Sequence, residues 1–599
     1  MRHAETGVVL AFNGEVFNYV ELRQELVRGG FRFRTRSDTE VILALYLEHG
    51  AEFPGHLNGQ FAVSVWDPRD KKLLLARDRF GICPLFYHHK QGFFSFASEI
   101  KSLLTLPHVA RRLDLRALDQ IFTFWTAVGG RTAIQGICEL LPGHTLVYKD
   151  DRVALRPYWS WPFPGQQDQL ALPFAEALEE FQGRLARAVE LRLRADVEVG
   201  SYLSGGIDSS AIVALAAQRF PERLRTYSVS FEEESYDERK YQDLVACHCS
   251  TRHKTVVCRE TDIEDRFERV VWSTETPLFR TAPAPFGLLA EHVRDDGIKA
   301  VLSGEGSDEI LLGYDLFREV KIRRFWRRQP QSRARPQLFK KLYAYLPQFS
   351  NPRFASLAIE SFSQSLQSDS PFYSHLIRWA NSAANKVYFS EEVASALGGY
   401  DALEELRTSL PGAYCAADDI DRAQYLEVAT LLRGYLLSSQ GDRMSMSSSV
   451  EGRFPFLDHE LVAFANRLPR SYKLSGLRDK RILRESMRGL LPVEIISRPK
   501  FAYQAPEIRA FVRRGQRHGP LTNEYLSDEA IGVAGLFNPS VVRLLLRKIE
   551  LSGLARLGAR DNMAFVQMLS AHIFHRAFIS TDVRQLAKSR LKARPVRRP

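Results

Sequence analysis

The stretch Val197-Glu198-Val199-Gly200-Ser201-Tyr202 runs directly into Leu203-Ser204-Gly205-Gly206-Ile207-Asp208-Ser209-Ser210, and the apolar run Ala211-Ile212-Val213-Ala214-Leu215 follows. This order reads as strand, glycine turn and helix. Two adjacent glycines let the backbone bend sharply and approach an anion closely. The free amides and hydroxyls that open the helix then face phosphate oxygens. The segment is read as a pyrophosphate cradle. The Gly-Lys-Ser/Thr ending of a Walker loop occurs nowhere in the chain, so no lysine of that kind grips a γ-phosphate for transfer. The plainer alternative is a bare glycine turn, and only the flanking strand and helix argue against it.

A second loop adds weight. Lys299-Ala300-Val301-Leu302 reads as a short strand entering Ser303-Gly304-Glu305-Gly306-Ser307-Asp308-Glu309, with Gly313-Tyr314 beyond. In a parallel sheet such strand ends gather at one carboxyl edge, where ligands bind. Carboxylates beside a polyphosphate call for a cation between them, and Asp208 and Asp308 offer the hard oxygen ligands of Mg²⁺. Glu305 is left for proton work. A third segment, Asp442-Arg443-Met444 through Glu451-Gly452-Arg453-Phe454-Pro455-Phe456-Leu457-Asp458, sets two arginines and three acids among apolar anchors. Its charge pattern fits an ordinary salt-bridged helix end equally well. In the fourth, Arg478-Asp479-Lys480-Arg481, Lys480 is placed to neutralise charge growing on an α-phosphate.

Ser-Gly-Gly-x-Asp-Ser resembles the signature of the PP-loop ATP pyrophosphatases, and the four segments in this order resemble the synthetase half of glutamine-hydrolysing asparagine synthetase. The likeness covers residues 195–315 and 425–510. It implies cleavage of ATP to AMP and pyrophosphate, adenylation of the aspartate side chain, and displacement of AMP by ammonia to give asparagine. By the same likeness Ser204, Gly205, Gly206, Asp208, Ser209 and Ser210 bind pyrophosphate, Ser303 and Gly304 contact the nucleotide, and Asp208 and Asp308 hold Mg²⁺. Tyr202 and Ser230 sit at the adenosine, while Glu305 and Lys480 serve the chemistry. A homodimer is also implied. Glu305→Ala and Lys480→Ala are expected to abolish most synthesis while the fold largely survives.

The first hundred residues are compatible. Asn13-Gly14-Glu15 lies in the run that begins with the strand Val8–Phe12, and Ser37-Asp38-Thr39-Glu40 opens a helix with a capping serine. Capping alone would explain Asp38. With the alternating strands near 57–67 and 73–81, these residues resemble the class II glutamine amidotransferase domain. In that family Asn13 and Gly14 would form an oxyanion hole, and Glu15 and Asp38 would hold the glutamine α-amino group. The family's nucleophile is an amino-terminal cysteine, whereas Met1 is followed here by Arg2, His3 and Ala4, and the first cysteine is Cys83. Cys83, in Gly81-Ile82-Cys83-Pro84-Leu85, reads as a small buried thiol. The chain is therefore expected to start inside its first domain, and the sequence as given to lack glutaminase activity.

The fold class expected is α/β. An N-terminal-nucleophile hydrolase type αββα domain, incomplete at its start, spans 1–160, and a linker spans 161–172. A doubly wound parallel-sheet PP-loop domain spans 173–520 with a helical insertion near 316–425, and an extension with a basic tail spans 521–599. The alternation of strands at 197–203, 224–231, 253–258 and 299–303 with helices at 209–219, 237–251 and 262–273 carries the parallel-sheet expectation. Six cysteines are too few for a disulfide scaffold, and Cys247-His248-Cys249 lacks a second pair to complete a zinc site. No signal peptide or twenty-residue apolar run is visible, so a cytoplasmic location with no membrane partner is expected. The net charge of +11 gathers in Arg318–Arg335 and Lys588–Pro599 and is read as solvated surface rather than a nucleic-acid footprint. Two alternatives stay open. One is an amidotransferase of this architecture acting on another carboxylate in a natural-product or cell-envelope pathway, and the other a tRNA-modifying PP-loop enzyme.

Overall fold

The computed structural model describes every residue except 165–168, 221–223, 347, 348, 350, 502, 513–517, 553–556 and 593–599, and the side chains of 364, 552 and 588–592. Part of the 161–172 linker and the end of the basic tail lie outside the described residues. Trp161, at the linker's start, is buried against the helix Phe174–Arg192.

Eight strands build the first domain: β1 (Val9–Val16), β2 (Gly59–Asp67), β3 (Lys72–Arg77), β4 (Phe86–Lys90), β5 (Phe93–Ala97), β6 (Ile137–Glu139), β7 (His144–Lys149) and β8 (Arg152–Pro157). They form two antiparallel sheets, ordered β1-β2-β3-β7-β8 and β5-β4-β6. Alternation of side chains gives the larger sheet two buried faces. Phe61, Val63, Val65, Leu74 and Ala76 pack under the helices Tyr19–Arg28 and Asp38–His49. Their neighbours Ala62, Leu75 and Leu146 meet Leu85, Tyr87 and Phe94, which bind the smaller sheet face to face. That sheet sends Phe86 and Ile137 against Ile100, Leu118 and Phe122 of the next helices, completing an αββα sandwich.

The third sheet is parallel throughout, ordered β11-β10-β9-β12-β13, with β9 (Val199–Tyr202), β10 (Arg225–Phe231), β11 (Arg252–Cys258), β12 (Ala300–Leu302) and β13 (Glu451–Arg453). The expected helices appear between them at Ile207–Ala217, Arg239–His248 and Glu260–Thr274. Beyond its first turn the helix Ile207–Ala217 is apolar on all sides, as a helix enclosed between sheet and outer helices must be.

The described residues of 316–425 form a series of helices joined by turns, from Asp315–Arg327 to Asp419–Glu427. Their basic stretch is less solvated than its charge suggested. Arg323 is fully buried and donates to Tyr373 O and Ser365 Oγ, while Arg324 and Arg327 pair with Asp418 and Asp369. Leu521, Ile531, Leu545, Phe565, Leu569 and Val583 pack into one hydrophobic cluster with Phe267, Val271 and Phe511, so their helices share the core of the parallel-sheet domain. Among the described residues, no helix is long and apolar enough to cross a membrane.

Candidate active site

Because β9 and β12 are parallel neighbours, with Leu302 opposite Ser201, their carboxyl ends deliver the Ser204 and Ser303 loops side by side. Gly205 has φ +74, and a Cβ there would lie 2.6 Å from Tyr241 Cβ, so only glycine makes this turn without strain. Ser204 Oγ and Ser209 Oγ are 2.9 Å apart and tie the two ends of the turn together. A cavity of about 340 Å³ opens over both loops. Its wall includes Tyr202, Ser204, Gly206, Asp208, Ser209, Ser303, Gly304, Glu305 and Asp308. The Ser230 side chain does not reach this wall, although its neighbours Val229 and Phe231 line it. Its buried Oγ accepts from Arg239, and Ser228 on the same strand takes the place in the wall.

Two lysines converge on the aspartates. Lys480, wholly buried, donates to Asp208 Oδ1 and Oδ2 at 2.6 and 2.7 Å and lies 2.6 Å from Asp308 Oδ1. Lys500 reaches Asp308 Oδ2 at 2.5 Å and stands 3.7 Å from Asp208 Oδ2. Ser307 Oγ also donates to Asp208, at 2.7 Å. Gly313 leaves the room for this packing, since a Cβ there would fall 2.1 Å from both Asp308 Oδ1 and Lys480 Cε. Lys480 is thus fully enclosed between carboxylates, an arrangement that the sequence does not reveal.

Burial raises the Asp308 pKa, but Lys480 and Lys500 outweigh it and bring it down to about 2. Burial works against the Lys500 charge too, and Asp308 and Asp208 overcome it, holding the ammonium protonated. Glu305 differs from both. Burial pushes it up to about 7; Lys500 opposes the rise, and the charges of Asp308 and Asp208 add to it. Glu309, wholly buried and accepting from Tyr314 Oη at 2.7 Å, is pushed by burial to about 8.

Lys500, in Arg498-Pro499-Lys500, carries no motif, and only the fold brings it to Asp308. Arg498 is a second such residue. It donates to Gly205 O at 3.0 Å and pairs with Glu238 at 2.6 Å, which braces the cradle. A third contribution comes from the helix Asp419–Glu427, which continues as a π-helix through Val428–Asp442. Its wider turns carry Leu431, Tyr435, Leu436 and Gln440 to the cavity. The Asp442–Asp458 segment has structural work instead. Arg443 lies 3.4 Å from Glu275, and Asp458 caps the helix His459–Arg467 while binding Arg192 at 3.0 Å.

The second cluster sits on the antiparallel sheet. Gly14 pairs with Phe61 and Glu15 with Gln60, and Asp38 Oδ2 accepts from Val16 N at 3.3 Å, so β1 and the 38–49 helix bring Glu15 and Asp38 near each other. Asn13 is exposed on the same strand. Glu15 is pushed to about 7 by burial, with Arg453 opposing at 3.3 Å. Arg453 lies on β13, and its carbonyl accepts from Ser303 N at 2.8 Å, so the two clusters meet through one residue. Cys83 is buried, and burial holds its thiol protonated.

The structure thus joins an αββα domain to a parallel sheet with a glycine cradle and paired carboxylates at its carboxyl edge. The chain belongs to the asparagine synthase family: residues 180–576 match the asparagine synthase family model, and residues 1–159 match that of the glutamine amidotransferase domain. Among its relatives, amidase chyE of Penicillium rubens is 31% identical over 547 residues, covering 84% of this chain and 78% of its own. Asparagine synthetase [glutamine-hydrolyzing] 1 of Bacillus subtilis is 30% identical over 502 residues, covering 83% and 76%. A putative asparagine synthetase [glutamine-hydrolyzing] of Mycobacterium bovis is 31% identical over 524 residues, covering 85% and 76%.

Proposed function

We propose that the chain condenses a carboxylic acid with ammonia at the expense of ATP, releasing AMP and pyrophosphate. The observation that carries this is Glu305, poised at about 7 beside a glycine cradle lined by Asp208 and Asp308. The acid's carboxylate oxygen attacks the α-phosphorus and the bond to pyrophosphate breaks. Ammonia then attacks the acyl carbon, AMP leaves, and Glu305, ionised above about pH 7, accepts the proton from nitrogen. Lys480 and Lys500 supply positive charge as the phosphate oxygens gain negative charge. Ser204, Gly205, Gly206, Ser209 and Ser210 cradle the pyrophosphate, with Tyr202, Ser303 and Gly304 along the nucleotide.

Asp208 and Asp308 suit one Mg²⁺, because both already share the single ammonium of Lys480 at 2.6 Å, and Mg²⁺ binds through one or two carboxylates plus phosphates. Bound there, it would screen the phosphates from the acids. Aspartate is the acid carried over from the asparagine synthetases. Asn13, Gly14, Glu15 and Asp38 are assigned to glutamine, whose amide supplies the ammonia in the glutamine-hydrolysing family, whereas this chain, with Cys83 buried and protonated, is read as taking free ammonium. ATP–pyrophosphate exchange and product analysis with ammonium test the reading. AMP and pyrophosphate are expected, and ADP with phosphate would overturn it.

A further inference from the structure

The same cavity has a second end, built by elements that bear no phosphate-binding residue. Trp125, at the carboxyl end of the helix Leu115–Phe124, stacks on Phe279 with centroids 4.6 Å apart and planes 7° from parallel. Phe279 in turn meets Tyr435 at 4.5 Å, extending the wall onto the π-helix. All three line the cavity, as does Glu305. Arg378 stands 4.8 Å from the Trp125 ring and Arg280 5.5 Å from that of Phe279, each within cation–π range. Arg378 is committed to Glu427 at 2.5 Å, whereas Glu507, 3.8 Å from Arg280, has its own charge reduced by burial, which pushes it to about 7.

One group in this wall has no assigned task. Tyr435 is 4% exposed, yet its buried hydroxyl has no hydrogen-bond partner among the described residues. A buried hydroxyl left unpaired costs free energy, which a ligand's polar group would recover. Tyr435 and Glu305 line the same cavity, so the wall and the reacting end share one space.

Aspartate offers such a wall only two short methylene-linked acids and no ring. We propose that the acid amidated here is an aromatic carboxylic acid, its ring held against Trp125, Phe279 and Tyr435 and its carboxylate directed to the phosphate cradle, with Glu305 beside it. This rests on the reading of the site as carboxylate-activating. A polar ring substituent meets the Tyr435 hydroxyl, and Arg280 complements further negative charge.

Calorimetric titration of the 599-residue chain with benzoate, 4-hydroxybenzoate and aspartate tests the wall, and pyrophosphate exchange with the same acids tests turnover. 4-Hydroxybenzoate is expected to bind at least tenfold more tightly than aspartate and to support exchange. Trp125→Ala should weaken both benzoates roughly tenfold, the scale of one lost ring stack, with ATP affinity unchanged. Tyr435→Phe, which keeps the ring and removes only the hydroxyl, should weaken 4-hydroxybenzoate and leave benzoate as it was. Aspartate binding as tightly as the benzoates overturns the proposal. So does a Trp125→Ala effect on ATP instead of the acid, which would make the wall a nucleobase pocket. Absence of AMP and pyrophosphate with every acid refutes amide formation, while the titrations still decide the wall.

Discussion

Replacing Lys480 with methionine strips one ammonium from between two buried carboxylates. Lys500 remains, 2.5 Å from Asp308 and 3.7 Å from Asp208, so a single cation must then serve both acids. The two lysines together draw Asp308 from 3.8 to about 2. That shift is on the order of 2 kcal/mol of stability at neutral pH. Leaving a carboxylate buried without its partner costs about 3–5 kcal/mol. A loss of about 3 kcal/mol is therefore expected for Lys480→Met at pH 7. The folded-state pKa of Asp308 is depressed, so its stabilisation is complete above 3.8 and disappears as pH falls through about 2. The deficit of the variant should accordingly shrink below about pH 4. Guanidinium unfolding followed by fluorescence and circular dichroism across this range gives the measurement. Adding Asp208→Asn should restore at least about 1 kcal/mol, because the unpaired charge goes with it. In the folded variant, pyrophosphate exchange should fall about 10²–10³-fold, the effect of one lost transition-state contact. A deficit below about 1 kcal/mol, or one that persists undiminished in acid, would refute the charge-sharing account.

With Glu305 at about 7, synthesis should rise as pH climbs through that value and the carboxylate appears, and Glu305→Gln should remove this limb. An unchanged profile in the variant would take the proton-transfer role from Glu305. Glu309, raised from 4.5 to about 8, favours the folded state while protonated, so its contribution is present below 4.5 and is lost as pH rises through about 8. Glu309→Gln should flatten the melting temperature across that window, and a slope identical to the parent's would count against a buried neutral acid. Gly205→Ala forces a side chain into φ +74 and against Tyr241, at a cost of about 1–3 kcal/mol. It should weaken ATP binding more than it lowers the melting temperature, and unaltered ATP affinity would remove Gly205 from the cradle.

Local pattern determined much of this protein in advance. Strand, glycine turn and helix at 199–217, the alternating strands at 57–77 and the succession of short elements to 303 are set by backbone geometry and side-chain period, which neighbours in sequence impose on each other. The residues from Ser204 to Ser210 and from Ser303 to Asp308 were legible for that reason, each cluster lying within one turn. Other parts depended on tertiary structure alone. Lys500 meets Asp308 from 192 positions away, and Lys480 meets Asp208 from 272. The aromatic wall takes one ring each from a helix end, a loop and a π-helix. The charge states of Glu305 and Glu309 follow the same rule. Desolvation and Coulomb interaction sum over everything nearby in space, whichever part of the chain supplies it, so a linear pattern holds the identities of these groups but not the company that sets their chemistry.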